Sequence, residues 1–232
     1  MAKLKFKSRL GDYGELEDLY TSIVNLSLTT HTTQKAVYTD SGNGNKLVLI
    51  GKNFEYDGDF MEGGTILSIV FQNGAGKQFA IVNHGRWDPQ DFITAYASGG
   101  FDGMESYVLR GKDTLIGSKR SDILDGEGGA DKILGGVGND HITGGRGDDK
   151  LWGGKGSDIF FFQPGHGHDK IYDFDAKGGG EKQDYIALPP GAEYEEVRQG
   201  KNLLLDFGDD GSILLIGVKA KDFDGHDLWD IN

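Results

Sequence analysis

Residues 108–161 read, in consecutive blocks of nine, VLRGKDTLI, GSKRSDILD, GEGGADKIL, GGVGNDHIT, GGRGDDKLW and GGKGSDIFF. Every block has an aspartate at its sixth position, and these are Asp113, Asp122, Asp131, Asp140, Asp149 and Asp158. Every block also has an apolar residue at its eighth position, and these are Leu115, Leu124, Ile133, Ile142, Leu151 and Phe160. A fixed period of this kind indicates a repeat architecture in which each block forms one structural unit.

Each block predicts a glycine-rich turn followed by a short strand whose central apolar side chain points inward. Two blocks complete one turn of a coil, so residues two blocks apart stack at the strand spacing of about 4.8 Å. The aspartates then form two rows, with Asp113, Asp131 and Asp149 in one and Asp122, Asp140 and Asp158 in the other. Both rows place like charges side by side.

The two rows of carboxylates require a counter-charge. Two carboxylates at that spacing repel by roughly 3 to 4 kcal/mol at an effective dielectric of about 20. Calcium fits, because Ca²⁺ takes about six to eight oxygen ligands and glycine-rich turns can point carbonyls inward, whereas the smaller, strictly octahedral Mg²⁺ is less suited. Solvated turn aspartates are the alternative interpretation, but plain turns do not require an aspartate in every block. A coil this thin is predicted to be disordered without metal, so that binding and folding occur together.

The blocks resemble GGxGxDxUx, where U is a large apolar residue, which is the repeat of the repeats-in-toxin family. Blocks three to six match closely, whereas the first two depart from the pattern at Val108-Leu109, Ser118 and Arg120. The resemblance implies an all-β fold, a right-handed parallel β-roll, in which the sixth-position aspartates and turn carbonyls coordinate Ca²⁺ between turns on the same side.

Carried over to this chain, the resemblance implies a set of calcium ligands. The aspartates of the closely matching blocks come first, and they are Asp131, Asp140, Asp149 and Asp158; Asp122 follows, and Asp113 matches least well. The turn glycines complete the set, and they are Gly126, Gly128, Gly129, Gly135, Gly136, Gly138, Gly144, Gly145, Gly147, Gly153, Gly154 and Gly156. Several calcium ions are expected.

Composition agrees with a cation as the partner. The 232 residues carry a formal net charge of −13, which argues against binding to nucleic acid or to an anionic membrane surface. The sequence contains no cysteine, so disulfides and thiolate metal sites are excluded. No apolar run approaches the roughly 18 residues of a membrane-spanning helix, and residues 1–10 lack the apolar core of a cleaved signal peptide.

Residues 171–232 are predicted to form a C-terminal β-strand cap on the roll, which occupies residues 108–170. Strands are expected at 171–174, 184–188, 202–207 and 212–218, the last two as a hairpin around Gly208-Asp-Asp-Gly211. This order, followed by Phe223 and Trp229, resembles the segment after the repeats in many type I-secreted proteins. The resemblance implies an uncleaved signal within roughly the last 50 residues, a dedicated type I secretion transporter as partner, and secretion to the extracellular space of a Gram-negative bacterium.

Residues 1–107 carry no repeat and are predicted to form a small β-rich module. Strands are expected at 46–50, 65–71 and 78–82, and short helices at 14–25 and 88–97. The module somewhat resembles N-terminal segments found ahead of such repeats in secreted proteins of soil bacteria, and this resemblance implies no activity.

Three smaller groups of residues each allow two interpretations. His166, His168 and Asp169 could ligate a transition metal, but a degenerate seventh turn is preferred. Asp57, Asp59 and Glu62 could form an acid/base pair or a further Ca²⁺ site, but an exposed loop is preferred. An aromatic group around the second predicted helix could be a sugar platform, although core packing is preferred; it comprises Trp87, Phe92 and Tyr96.

Two functions remain open. The first is a non-catalytic extracellular module, exported unfolded and folded by external Ca²⁺, that attaches to a cell surface or exopolysaccharide through residues 1–107. The second is an enzyme or an accessory subunit of one, because rolls of this family also occur beside lipase, protease and polysaccharide epimerase domains. No HExxH, GxSxG or EF-hand motif occurs, no catalytic residue is predicted, and about 107 residues is small for those catalytic domains.

Overall fold

The computed structural model describes residues 3–6, 26–42, 44–57, 60–72, 75, 78–176 and 183–230. The helix predicted at 14–25 and the side chains of Asp59 and Tyr96 lie outside the described part. The chain divides into two compact units, Met1–Leu109 and Arg110–Asn232. None of the helices within the described ranges is long and apolar enough to cross a membrane.

The N-terminal unit is an antiparallel sheet with one helix. Its elements are β1 (Lys3–Phe6), β2 (Leu26–Thr32), β3 (Lys35–Asp40), β4 (Lys46–Asp57), β5 (Phe60–Gln72), β6 (Gln78–Trp87) and α1 (Pro89–Val108). The strand order is β1-β6-β5-β4-β3-β2, and the three strands expected in this region lie within β4, β5 and β6. Trp87 and Phe92 are only 7% and 2% exposed, which confirms the core-packing interpretation of these two rings.

Helix α1 is longer than predicted. It begins where Asp88 Oδ1 accepts the amide of Gln90 at 2.8 Å and has Pro89 as its first residue, both favourable start signals. The sequence Ser98-Gly-Gly100 favours an earlier end, because glycine costs about 1 kcal/mol in a helix interior. Packing overrides this cost, and the helix continues to Val108, which is buried. The first block therefore starts on a helix end and not in a glycine turn.

The second unit is a parallel β-roll. The array contributes β7 (Thr114–Ile116), β8 (Ile123–Asp125), β9 (Lys132–Val137), β10 (His141–Thr143), β11 (Lys150–Lys155) and β12 (Ile159–Phe161). Strands β7, β9 and β11 pair in one sheet, and β8, β10 and β12 in the other. Leu115 lies opposite Ile133, which confirms two blocks per turn. The eighth-position side chains fill the space between the sheets and are at most 1% exposed.

The chain beyond the array continues both sheets. Its elements are β13 (Gly167–Ile171), β14 (Tyr185–Leu188), β15 (Glu195–Gln199), β16 (Asn202–Asp206), β17 (Gly211–Leu215) and β18 (Leu228–Asp230). Strands β13 and β17 extend the β7 sheet in parallel, and β14 and β18 extend the other. The predicted hairpin is confirmed as β16 and β17. The strand expected at 171–174 was misplaced, because the chain leaves the sheet after Ile171.

Candidate metal centre

The sixth-position aspartates are bound to one another through the backbone. In the last four blocks, the carboxylate Oδ1 accepts the amide N–H of the aspartate 18 residues earlier, in the preceding turn of the same row. The N···Oδ1 distances are 2.6 Å for Asp113 to Asp131, 2.8 Å for Asp122 to Asp140, 2.7 Å for Asp131 to Asp149 and 2.8 Å for Asp140 to Asp158. The carboxylates therefore form the two predicted rows inside the turns, and they are not solvated turn residues.

The second carboxylate oxygen is left unmatched in the blocks that fit the repeat pattern best. Oδ2 is buried and accepts no hydrogen bond in Asp131, Asp140, Asp149 and Asp158, and these residues are at most 2% exposed. A buried carboxylate that lacks a partner on one oxygen is strongly destabilised when ionised. Each of these oxygens therefore requires either a proton or a cation.

Burial favours the proton when no cation is present. Desolvation raises the pKa of Asp131, Asp140 and Asp149 to about 7, and the bonds from the backbone amides oppose this rise. Neighbouring carboxylates of the same row raise these pKa values further. Desolvation also raises the pKa of Asp158, to about 6. Near neutral pH the rows are thus poised between protonation and cation binding.

The glycines of each block keep the space beside Oδ2 open. A Cβ atom on first-position Gly135 would lie 2.5 Å from Asp140 Oδ2 and 2.5 Å from the carbonyl oxygen of Gly153 in the next turn. The same relation places Gly126 against Asp131, Gly144 against Asp149, and Gly153 against Asp158. Each first-position glycine therefore leaves room for a ligand beside a carboxylate oxygen.

The second- and fourth-position glycines have the backbone conformation that only glycine adopts readily. Their φ angles lie between 91° and 139° in Gly129, Gly136, Gly138, Gly145, Gly147, Gly154 and Gly156. Block three departs from the pattern at position two, which is Glu127 with φ of 64°. Gly128 occupies position three and pairs with Arg146 in an isolated parallel bridge.

These donors fit Ca²⁺ better than other metals. Within the described ranges, no three His, Asp or Glu side chains cluster as a metal site, so backbone carbonyls must supply most ligands. Ca²⁺ accepts carbonyl oxygens in flexible geometry, whereas Zn²⁺ prefers nitrogen and sulfur, and Mg²⁺ retains its water. The arrangement is a row of anionic oxygens spaced by carbonyl-bearing turns.

The N-terminal end of the array differs from its middle. Asp122 Oδ2 accepts the amide of Ser118 at 2.5 Å, and Oδ1 lies 3.2 Å from the Ser118 hydroxyl. Ser118, which replaces a glycine of the pattern, thus supplies protein partners to this carboxylate. Asp113 begins its row, and the residue 18 positions before it lies in α1. The second block is therefore the least suited to a cation.

Sequence reasoning missed two members of the rows at the other end. Asp169 Oδ1 accepts the Asp149 amide, and Asp184 Oδ1 accepts the Asp158 amide, both at 2.9 Å. Their offsets are 20 and 26 residues, which hid them from a search at a fixed period. The signal that could have found them is the triplet Asp-x-apolar, which recurs as Asp169-Lys-Ile171 and Asp184-Tyr-Ile186.

Both added aspartates already have protein partners on Oδ2. Asp169 Oδ2 lies 2.6 Å from His166 Nδ1, and Asp184 Oδ2 accepts the amide of Asp175 at 2.9 Å. His168 bonds elsewhere, to the Ser212 hydroxyl at 2.9 Å. The two histidines therefore do not form a transition-metal site with Asp169, and the interpretation as a degenerate seventh turn is favoured.

In the acidic loop group of the N-terminal unit, Asp57 and Glu62 are exposed on β4 and β5.

Comparison with known proteins agrees with this geometry. Residues 108–142 and 134–168 match the family model of the RTX calcium-binding nonapeptide repeat. The array thus consists of RTX repeats, and such repeats bind calcium ions. No curated protein matches the chain.

Two solved structures are similar in part. One is the solution structure of the AlgE6R3 subunit from the Azotobacter vinelandii mannuronan C5-epimerase, with 27% identity, 52% of this chain and 79% of that chain covered, and a TM-score of 0.42. The other is the extracellular lipase LipA from Serratia marcescens, with 18% identity, 88% of this chain and 30% of that chain covered, and a TM-score of 0.33.

The position of an aspartate in its row should determine its effect on folding. Asp140→Ala removes the acceptor of the Asp122 amide and an unmatched Oδ2, so we expect the calcium midpoint of folding, measured by circular dichroism, to rise by about tenfold. Asp140→Asn keeps a side-chain oxygen that can accept the Asp122 amide, so it should raise the calcium midpoint less. Asp113→Ala is the control and should shift the midpoint little. Equal shifts for Asp140→Ala and Asp113→Ala would contradict the assigned rows.

The stability of the metal-free roll should depend on pH. The folded-state pKa values of Asp131, Asp140 and Asp149 lie near 7, above the ordinary 3.8. The metal-free roll therefore binds more protons than the unfolded chain in this window and loses stability as pH rises through it. In chelator, the β-sheet circular dichroism of residues 110–232 should thus be stronger at about pH 5.5 than at about pH 8. Equal spectra at the two pH values would contradict the burial of these carboxylates.

Proposed function

We propose that this protein is a secreted, non-catalytic module that remains unfolded until it meets extracellular calcium. The observation that carries the proposal is the set of four buried Oδ2 atoms without partners, in Asp131, Asp140, Asp149 and Asp158. We assign these four carboxylates, with the carbonyls of the adjoining glycine turns, as the calcium ligands. Asp122 and Asp113 contribute less, because their blocks depart from the pattern.

Coupled folding and binding follows from the thinness of the roll. Each turn buries one apolar side chain per strand between the sheets, such as Ile133 and Ile142, both 0% exposed. Such a small core offsets little of the backbone entropy lost on folding, about 1 to 2 kcal/mol per residue. The buried carboxylates add a further cost at neutral pH. Calcium, when bound, supplies the positive charge that neutralises both rows.

Calcium should therefore fold residues 110–232. In excess chelator we expect the β-sheet circular dichroism of this unit to be lost, and millimolar Ca²⁺ should restore it with an apparent affinity of about 10⁻⁴ to 10⁻³ M, the range of extracellular modules. Mg²⁺ at the same concentration is the control and should restore little. An identical spectrum in chelator and in Ca²⁺ would contradict the proposal.

Neither candidate site proposed for the N-terminal unit stands out in its described part. The rings of Trp87 and Phe92 lie in the core and offer no sugar platform, and Asp57 and Glu62 are exposed strand residues. We propose that the partner of the whole protein is a cell surface or an extracellular polysaccharide. If the protein instead accompanies a polysaccharide-modifying or hydrolytic enzyme, adding it to that enzyme should raise turnover, whereas a binding module should retain polysaccharide without changing it.

We further propose export through a type I transporter that recognises the C-terminal region. Deletion of residues 180–232 should leave the protein inside a cell that carries the matching transporter, as judged by immunoblotting of cells and medium. This deletion also removes β14 to β18, so a folding control is required. Ile213→Asp places a charge at a core position that is 0% exposed and should still be exported. Export of the truncated chain would contradict the assignment.

A further inference from the structure

The outer face of the β7 sheet carries a ladder of lysines. Lys150 lies directly opposite Lys132 on one side and Lys170 on the other, because all three occupy the position just before the inward apolar residue. All three side chains are exposed. No described carboxylate lies within ion-pair distance of them. Neighbouring strands are about 4.8 Å apart, so three cationic groups cross the face at regular intervals.

A row of apolar and aromatic side chains runs beside the lysines. Leu134, Trp152 and Tyr172 follow the inward residues of β9, β11 and β13, so that they too point outward. The rings of Trp152 and Tyr172 stack at 4.3 Å with an interplanar angle of 7°, and Lys132 Nζ lies 5.1 Å from the centre of the Trp152 ring. We call these six side chains the lysine face.

The lysine face destabilises the folded roll unless an anionic ligand binds to it. Like charges directly opposite one another on a sheet are destabilising, and the chain as a whole has 37 acidic residues against 24 basic ones. The exposed carboxylates nearest in sequence to Lys150 and Lys170 have other partners: Asp148 accepts the His168 amide, and Asp173 accepts the amides of Gly153 and Gly154. The adjacent Asp131, Asp149 and Asp169 are buried inside the turns.

The rings add hydrogen-bond donors to this charge. Within the described residues, neither Trp152 Nε1 nor Tyr172 OH makes an intramolecular hydrogen bond. Because the two rings stack on each other, they offer their electropositive edges to a ligand and not their inner faces. The lysine face therefore suits a ligand that is anionic at regular intervals and rich in hydroxyl groups.

We infer that the lysine face binds an acidic polysaccharide, a chain of uronate sugars whose carboxylates meet the lysines and whose hydroxyls meet Trp152 and Tyr172. A linear polymer matches a row of three equally spaced cations better than a compact anion does. Nucleic acid fits less well, because tight binding of a nucleic acid requires many contacts between the protein and its phosphates. The net charge of −13 also repels a polyanion of that charge density. The inference rests on the proposed function, because the face exists only in the folded roll, and it moves polysaccharide binding from residues 1–107 to the roll.

Calorimetric titration of the full chain with hexagalacturonate, in millimolar Ca²⁺, tests the inference. We expect binding of this oligomer, which weakens as salt is added, and no binding of its carboxyl-reduced form. Joint substitution Lys132→Gln, Lys150→Gln and Lys170→Gln should weaken binding by about tenfold. Trp152→Leu should weaken it while leaving the charge unchanged.

The matched control is Lys119→Gln, Lys201→Gln and Lys219→Gln, which changes the same charge on exposed lysines elsewhere in this unit and should alter affinity by less than about twofold. Equal losses in the two triple variants, equal binding of the carboxyl-reduced oligomer, or tighter binding of a short single-stranded DNA would overturn the inference. Circular dichroism in the same buffer separates the two proposals. A folded roll without hexagalacturonate binding overturns this inference alone, whereas an unfolded roll overturns the proposed function and the face with it.

Discussion

A buried carboxylate with one satisfied and one unsatisfied oxygen is the constraint on which the roll depends. Oδ1 joins each turn to the preceding one through a backbone amide, so the aspartate cannot be replaced without loosening the coil. Oδ2 has no protein partner in the middle of the array, so the same residue that builds the coil also makes it unstable without a cation. The glycines are required because any Cβ at the first position would occupy the space beside Oδ2.

Protein groups take the place of a cation at some of the aspartates. At one end Ser118 provides an amide and a hydroxyl to Asp122; at the other, His166 and the Asp175 amide occupy the second oxygens of Asp169 and Asp184. Beyond Asp169 the next strand of its sheet has Ile213 in register, so the row of charge ends there and an apolar core follows. The departures from the repeat pattern thus mark where protein groups replace the cation.

Most of the roll could be predicted from the sequence because its period is fixed by geometry: one inward residue per strand and two strands per turn. The same reasoning failed where tertiary packing replaced the pattern. Helix α1 continues through three glycines to the buried Val108. Asp169 and Asp184 join the rows through longer connections that keep only the Asp-x-apolar triplet. The unmatched state of Oδ2 could not be predicted at all, because it depends on where neighbouring amides lie in three dimensions.

The alternation of blocks between the two sheets restricts how such a gene can change in length. Adding or losing one block would send every later strand to the opposite sheet, although the pairs Asp149–Asp169 and Asp158–Asp184 would move together. Strands β13 to β18 would then exchange sheets relative to the first block, whereas adding or losing two blocks would leave each of them on its original sheet. Only even steps in block number therefore keep the C-terminal strands on the same side of the roll as at present.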